Sequence, residues 1–294
     1  MTTAPAMATR HNASAQLDGI RLRFTGVVRS EWIKLRSLRS TIWCYGLIVL
    51  LTVGFGLLLA VTYSAPDHTL SADQQNQALV QAATLGVNFT QLIVAVLGAL
   101  VITGEYSTGM IRSTLAAAPG RIGAFIGKGL VLAVTTFVVG LVSIVAAGLV
   151  ASAVLPGKGV DANLFDWPVL LPLIGGAGYL TLIALLAFAF GTIVRSSAGA
   201  IASILGLVLV VPTVLQIISG LTRAVWIQNV AAFLPSAAGS TIFDYQAATQ
   251  VTVQPAAPKA DVVDLTSWEG LAVTIGWVLI FGIIGAVLLK RRDA

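Results

Sequence analysis

Residues 168–194 read PVLLPLIGGAGYLTLIALLAFAFGTIV, a stretch without Asp, Glu, Lys, Arg or His. A helix rises about 1.5 Å per residue, so roughly 20 apolar residues cross a hydrocarbon layer about 30 Å thick. The stretch is long enough to do so, and a water-soluble fold would have to bury every face of it. It therefore predicts a membrane-spanning helix.

Five other apolar stretches have the same character. Hydrophobic residues make up 57% of the chain and charged residues 10%, against about 45–50% and about 25% in ordinary soluble domains. We predict an all-α membrane protein with six transmembrane helices. The predicted spans are 41–62, 85–103, 126–155, 168–194, 198–218 and 268–289.

Basic residues lie almost entirely on one side of this predicted membrane. All but three of the 17 Lys and Arg residues fall there, the exceptions being Lys158, Arg223 and Lys259. Positive charge beside a span is retained on the cytoplasmic face, so we expect a multi-pass protein of the cell membrane with both termini cytoplasmic. The net charge of +5 then belongs to clusters that face anionic lipid headgroups, which argues against nucleic-acid binding.

The segment ahead of the first span has two parts. Residues 1–20 are rich in Ala, Thr and Ser without periodicity, and predict a disordered cytoplasmic tail before a single transmembrane domain over 21–294. Apolar residues then recur at helical spacing opposite a basic face, which predicts an interfacial amphipathic helix. The apolar residues are Phe24, Val27, Val28, Trp32, Leu35 and Leu38, and the basic ones Arg23, Arg29, Lys34 and Arg36. The alternative is a charge cluster that only sets topology.

The segments on the other side of the membrane differ in kind. Residues 63–84 carry acidic groups but no Lys or Arg, and we expect an outer loop there. In the largest segment, 219–267, the apolar residues 224–245 predict short helices at or within the membrane surface. The Pro-, Ala- and Val-rich stretch at 254–263 is typical of an exposed loop.

Groups that support catalysis or ion coupling within a membrane are missing from the predicted spans. They contain no Asp, Glu or His except Glu269, at the outer boundary of the last one. Proton relays and ion-coupling sites are built from such groups. His11 and His68 fall on opposite sides of the membrane and cannot share a metal, and the lone Cys44 cannot form an intrachain disulfide.

The chain also lacks an ATPase site of its own. The nearest approach to a phosphate-binding loop is at residues 120–129, where Ile122 replaces the first Gly of the pattern and Gly129 replaces the required Ser or Thr. We therefore expect no catalytic site, metal or cofactor in this chain. Any driving force must come from another protein.

Three short segments outside the spans form a recognisable pattern. They are GEYSTGMIRSTLAAAPGR at 104–121, RSEWIKLRSLRS at 29–40 and LPSAAGS at 234–240. In this order and spacing they resemble ABC-2 type permeases, the membrane subunits of a class of ABC exporters, notably the family's high-GC bacterial branch. The resemblance implies an interfacial elbow helix, six spans and short re-entrant outer helices before the last span.

The resemblance further implies that a coupling helix within 104–121 docks on a separate ATPase subunit, which binds ATP and Mg²⁺. The residues implied at this contact are Glu105, Tyr106, Thr108, Gly109, Met110, Ile111, Arg112, Thr114 and Leu115. Glu105 would pair with a basic group there, and Met110, Ile111 and Leu115 would supply an apolar anchor. Without the resemblance, a solvated loop that sets topology would be the preferred interpretation.

Weakly polar residues in two spans are candidates for a translocation path. Thr84, Asn88 and Gln91 fall on one helical face at the outer end of the second span, and Thr213 and Gln216 lie one turn apart in the fifth. The family's use of its second and fifth spans implies that both faces line the path. The alternative is hydrogen bonding between helices in lipid.

Taken with the resemblance, these patterns lead to a membrane-spanning permease subunit of an ATP-driven exporter. Six helices are few for a pathway, so we expect a pair of permeases, a homodimer or a heterodimer with a related chain. The alternative function is a membrane assembly or anchoring factor that transports nothing. That alternative predicts no ATPase partner.

Overall fold

The computed structural model describes residues 24–64, 69–110, 121–246 and 262–291. Within these ranges, the regular elements are helices. They are α1 Phe24–Ser37, α2 Arg39–Thr62, α3 Ala72–Thr84, α4 Val87–Ser107, α5 Arg121–Val154, α6 Trp167–Val194, α7 Ser197–Leu205, α8 Val211–Thr222, α9 Val225–Ala232, α10 Pro235–Ser240 and α11 Ser267–Arg291. Residues 1–20 and most of the predicted loop at 254–263 lie outside the described ranges.

Among the described residues, six helical segments are long and apolar enough to cross a membrane. Each of the six predicted spans lies within one of them, so the all-α membrane fold with six spans is confirmed. In chain order the segments are Arg39–Thr62, Ala72–Ser107, Ile122–Lys158, Trp167–Val194, Ser197–Thr222 and Ser267–Arg291.

The expected outer loop over 63–84 is wrong for residues 72–84, which form α3. The Ser71 side chain accepts a hydrogen bond from the backbone N–H of Gln74 at 3.3 Å, and the Gln74 side chain accepts one from the backbone N–H of Ser71 at 2.9 Å. This capping box satisfies two amide groups that a helix start otherwise leaves open. The small apolar residues that follow are buried, because α3 packs along α5.

The fourth span, α6, is the centre of the bundle and packs on α4, α5 and α11. Its most apolar stretch is 56% buried, whereas those of the fifth and sixth spans are 11% buried. The backbones of α4 and α6 come very close at Gly98, where an added Cβ would lie 2.2 Å from the Ala184 carbonyl oxygen. A glycine is therefore required for this contact.

One end of the bundle collects the basic side chains. The Arg195 guanidinium lies 5.3 Å from the ring centre of Tyr106, which joins the last turn of α4 to the end of α6. Gly285 of α11 faces Thr192 of α6, so the C-terminal end of α11 with Lys290 lies on the same side. We call this the basic end.

The fifth span consists of α7 and α8, joined by a π-helical turn at Gly206–Val210. Pro212 lies two residues after this turn ends, and its missing N–H removes one bond of the helical ladder. The short helices α9 and α10 confirm the helical part of the prediction for 224–245. Gly239 of α10 lies against the Tyr179 ring, about 18 Å along α6 from its start at Trp167. This depth supports a re-entrant position for α10.

Candidate functional site

Four charged side chains meet at the basic end, where α1, α4 and α5 come together. Lys34 Nζ lies 2.9 Å from Glu31 Oε1 and 3.0 Å from Glu105 Oε1. Lys128 Nζ lies 2.8 Å from Glu105 Oε1 and also donates a hydrogen bond to Glu31 Oε2. We call Glu31, Lys34, Glu105 and Lys128 the ion-pair cluster.

Most of the ion-pair cluster is buried. Glu31, Glu105 and Lys128 are 3%, 5% and 6% exposed, respectively. Charges this deep are stable only when they are paired, so each acid in the cluster requires its bases and each base its acids. The cluster therefore fixes α1 to the end of α4 and the start of α5.

Lys34 is the most exposed member of the cluster and connects its two acids. Burial alone would lower the pKa of Lys34, but hydrogen bonds to Glu31 and Glu105, together with their charges, raise the pKa above its ordinary value. Lys34 therefore stays positively charged at neutral pH. It balances the two carboxylates together with Lys128.

Glu105 is buried, and the basic groups with which its carboxylate pairs belong to the same chain. The contact with an ATPase subunit that the resemblance implies for Glu105 stays a prediction. Sequence reasoning missed Glu31 and Lys128 as site residues. A signal was present, because a lysine within an apolar stretch needs a carboxylate partner and Glu31 is the acid within the basic helix α1.

The remaining candidate coupling residues lie at the tip of α4. Thr108 and Met110 are exposed, and the Thr108 hydroxyl donates to the Gly104 carbonyl oxygen at 2.9 Å. Gly109 has φ +69°, a left-handed conformation that favours glycine and ends the helix. Tyr106 is half-buried beneath Arg195 in a cation–π contact. The other predicted residues, Ile111, Arg112, Thr114 and Leu115, lie outside the described ranges.

The predicted pathway residues of the second span do not share one accessible face. Thr84 is buried at the end of α3, where its hydroxyl donates to the Val80 carbonyl oxygen at 2.8 Å. Asn88 is exposed near the start of α4, and Gln91 is partly buried. The Tyr179 hydroxyl donates to Gln91 Oε1, so Gln91 connects α4 to α6 beside α10.

The predicted pathway residues of the fifth span, Thr213 and Gln216, are exposed on α8. The Thr213 hydroxyl donates to its own helix, at the Leu209 carbonyl oxygen 2.6 Å away. None of the described residues hydrogen-bonds to the Gln216 amide. The second and fifth spans meet at the basic end, where Ser197 Oγ donates to Thr103 Oγ1 at 2.9 Å.

Among the described residues, no group of three His, Cys, Asp or Glu side chains is placed to hold a metal ion. The ion-pair cluster ties the base of the exposed tip of α4 to α1 and α5 through charges that are mostly buried.

Comparison with known proteins agrees with the architecture. The model of the family described as "ABC-2 family transporter protein" matches residues 27–213, more than half of the chain. No curated protein matches the sequence. The matched range holds the ion-pair cluster, the first four spans and most of the fifth. The chain thus belongs to the ABC-2 transporter family and is a multi-pass permease component of an ABC transporter, a type of subunit that is not itself the catalytic ATPase.

Proposed function

We propose that this chain is the membrane subunit of an ATP-driven exporter and is moved by a separate ATPase subunit that binds ATP and Mg²⁺. The ion-pair cluster carries the proposal. Glu105 lies at the base of the tip of α4, and it is held by Lys34 of α1 and Lys128 of α5. Family membership supports the ATPase partner, because ABC permeases work with one.

A coupling segment must be held rigidly at its base. Closure of the ATPase pushes on the exposed tip around Thr108 and Met110 and displaces Glu105. Separating one partner from a buried ion pair costs about 3–5 kcal/mol, so the paired helices move together instead of letting the tip bend alone. The displacement then passes through α1 and α5 into the bundle.

This proposal places the basic end, with both chain termini, in the cytoplasm of a cell with this protein in its cell membrane. Retention of positive charge on the cytoplasmic side supports the orientation. A Thr108→Cys chain in a Cys44→Ser background should react with a membrane-impermeant maleimide only after the membrane is permeabilised. Reaction in intact cells would contradict the orientation.

The translocation path forms, in this proposal, between two copies of the chain at the faces that carry Asn88, Gln91, Thr213 and Gln216. The exposed amide of Gln216 supports this, because a side-chain amide in lipid without a hydrogen-bond partner is costly. The low burial of the fifth span within one copy supports it as well. In a homodimer, the second copy would cover this surface. In a heterodimer, a related permease would cover it with an equivalent surface of its own.

Crosslinking tests the coupling assignment directly. The complex is purified in mild detergent, and Thr108→Cys in the Cys44→Ser background is treated with a short reagent that carries a maleimide for the introduced thiol and a succinimidyl ester for lysine amines of the ATPase subunit. We expect a crosslink to the ATPase subunit. Lys158→Cys, in the exposed turn at the opposite end of the bundle, is the matched control and should give none.

Transport in vesicles provides the second part of the test. An ATPase subunit that cannot hydrolyse ATP should abolish export by the reconstituted complex. The absence of a copurifying ATPase, together with no crosslink at Thr108→Cys, would reject the exporter and favour the assembly or anchoring factor.

A further inference from the structure

A cavity of about 430 Å³ lies at the end of the bundle opposite the ion-pair cluster. The first half of α6, residues 242–246, the start of α11 and Phe137 of α5 surround it. Neither the coupling site nor the candidate path uses these residues. The volume falls within the range of protein sites for small molecules, about 300–1,000 Å³.

The cavity has a polar end and an apolar end. Asp244, Gln246 and Ser267 lie where the fourth and sixth spans begin, a level marked by the exposed Trp268. Tryptophan is enriched at the boundary between lipid and water. Gly178 lies deeper, about 16 Å along α6 from Trp167. The cavity therefore extends from the boundary into the hydrocarbon layer, which fits an amphiphile.

The polar end carries a negative charge that no described residue pairs with. Gln246 Nε2 donates to Ser267 Oγ at 2.8 Å, and the Ser267 hydroxyl donates to the Thr241 carbonyl oxygen at 2.6 Å. None of the described residues donates a hydrogen bond or an ion pair to the Asp244 carboxylate. No Lys or Arg stands among the described residues that line the cavity.

Neighbouring acids are already engaged. Asp73 accepts a hydrogen bond from the Tyr245 hydroxyl at 3.0 Å, and Glu269 accepts two from Thr266. Among the described residues that line the cavity, Asp244 is the acid, and a cation complements it. The exposed indole of Trp268 lines the same cavity and offers a second group that attracts cations.

We propose that this cavity binds an amphiphile with a cationic head, which lies at Asp244, and an apolar body, which lies along Leu171, Ile174 and Gly178. The proposal is independent of ATPase coupling and of transport. Its test requires only the purified chain.

The test measures binding of tetraphenylphosphonium to the full chain in a neutral detergent. Tetraphenylborate has a similar size and shape and the opposite charge, and should bind at least about tenfold more weakly. Asp244→Asn should weaken tetraphenylphosphonium binding by at least about tenfold, because the charge of the carboxylate is lost. Equal affinity for the two ions in the unmodified chain would overturn the proposal.

A second variant tests the apolar end of the cavity. A Cβ added at Gly178 meets no atom within 4 Å, so the Cβ of a leucine at this position causes no steric clash. The rest of the leucine side chain in Gly178→Leu then extends into the cavity. We expect loss of tetraphenylphosphonium binding with an unchanged unfolding temperature. Gly282→Leu, also in open space but on α11 away from the cavity, is the control and should bind normally. Normal binding by Gly178→Leu would overturn the proposal even if Asp244→Asn failed to fold.

Competition identifies the source of the ligand. Displacement of tetraphenylphosphonium by phosphatidylethanolamine but not by phosphatidylglycerol supports an aminolipid as the natural occupant. Displacement by neither lipid supports a soluble lipophilic cation. Equal displacement by both lipids would contradict selection for a cationic head.

Discussion

Lys128 Nζ lies 2.8 Å from Glu105 Oε1, and both side chains are buried at the ends of apolar helices. Lys128→Met would leave Glu31 and Glu105 with Lys34 as their remaining partner in the cluster. Removing one member of a buried ion pair costs about 3–5 kcal/mol. We expect a lower free energy of unfolding by this amount, measured by thermal or denaturant unfolding in detergent.

Two variants control this experiment. Lys158→Met lies in an exposed turn at the opposite end, and should change stability by no more than about 0.5 kcal/mol. Adding Glu31→Gln to Lys128→Met should recover part of the loss, because it removes one of the carboxylates left without Lys128. If Lys128→Met lowered the free energy of unfolding no more than Lys158→Met does, the cluster would not hold these helices together.

The contact between α4 and α6 supplies a second prediction. In Gly98→Ala the new Cβ would lie 2.2 Å from the Ala184 carbonyl oxygen, so the two helices must move apart. Overpacking of this kind costs about 1–3 kcal/mol. Gly54→Ala is the control, because an added Cβ there meets no atom within 4 Å, and its free energy of unfolding should not fall. Equal unfolding temperatures for the two variants would show that α4 and α6 do not pack this closely.

The six spans could be predicted from the sequence because the length of an apolar stretch can be read without knowing which helices it packs against. The sequence was insufficient for residues 72–84, where a capping box and burial against α5 outweigh a composition typical of a loop. For the ion-pair cluster, the sequence indicated only that Lys128, within an apolar stretch, needs a carboxylate partner. Which acids pair with which lysines depends on α1 folding back onto α4 and α5, and no local pattern encodes that packing.

Asp244 gives a prediction about pH. Part of its side chain is exposed, but burial by apolar neighbours raises the pKa of its carboxyl above the ordinary value. A carboxyl whose pKa is higher in the folded state destabilises the fold when it is ionised, and this destabilisation disappears as the pH falls through that pKa. At neutral pH, Asp244→Asn should therefore unfold at a higher temperature than the unmodified chain.

The difference in unfolding temperature between Asp244→Asn and the unmodified chain should shrink as the pH is lowered through the folded pKa of Asp244. Thermal unfolding of both proteins across a pH series measures it. A difference that stays constant over the series would mean that ionisation of Asp244 is not its cause. The same series shows whether weaker cation binding by Asp244→Asn comes from loss of charge or from unfolding.

Gln216 provides a test of where the interface between two copies lies. Its exposed amide lies on α8, in a span that is 11% buried within one chain, and an amide in lipid gains stability when a second chain supplies hydrogen bonds. Gln216→Cys in the Cys44→Ser background should therefore form a crosslinked dimer under mild oxidation in membranes, visible by non-reducing electrophoresis. Ile283→Cys is the matched control, since Ile283 is 62% exposed on the sixth span and should stay monomeric. The reverse pattern, a dimer through Ile283→Cys and none through Gln216→Cys, would move the interface to the sixth span and remove Thr213 and Gln216 from the proposed path.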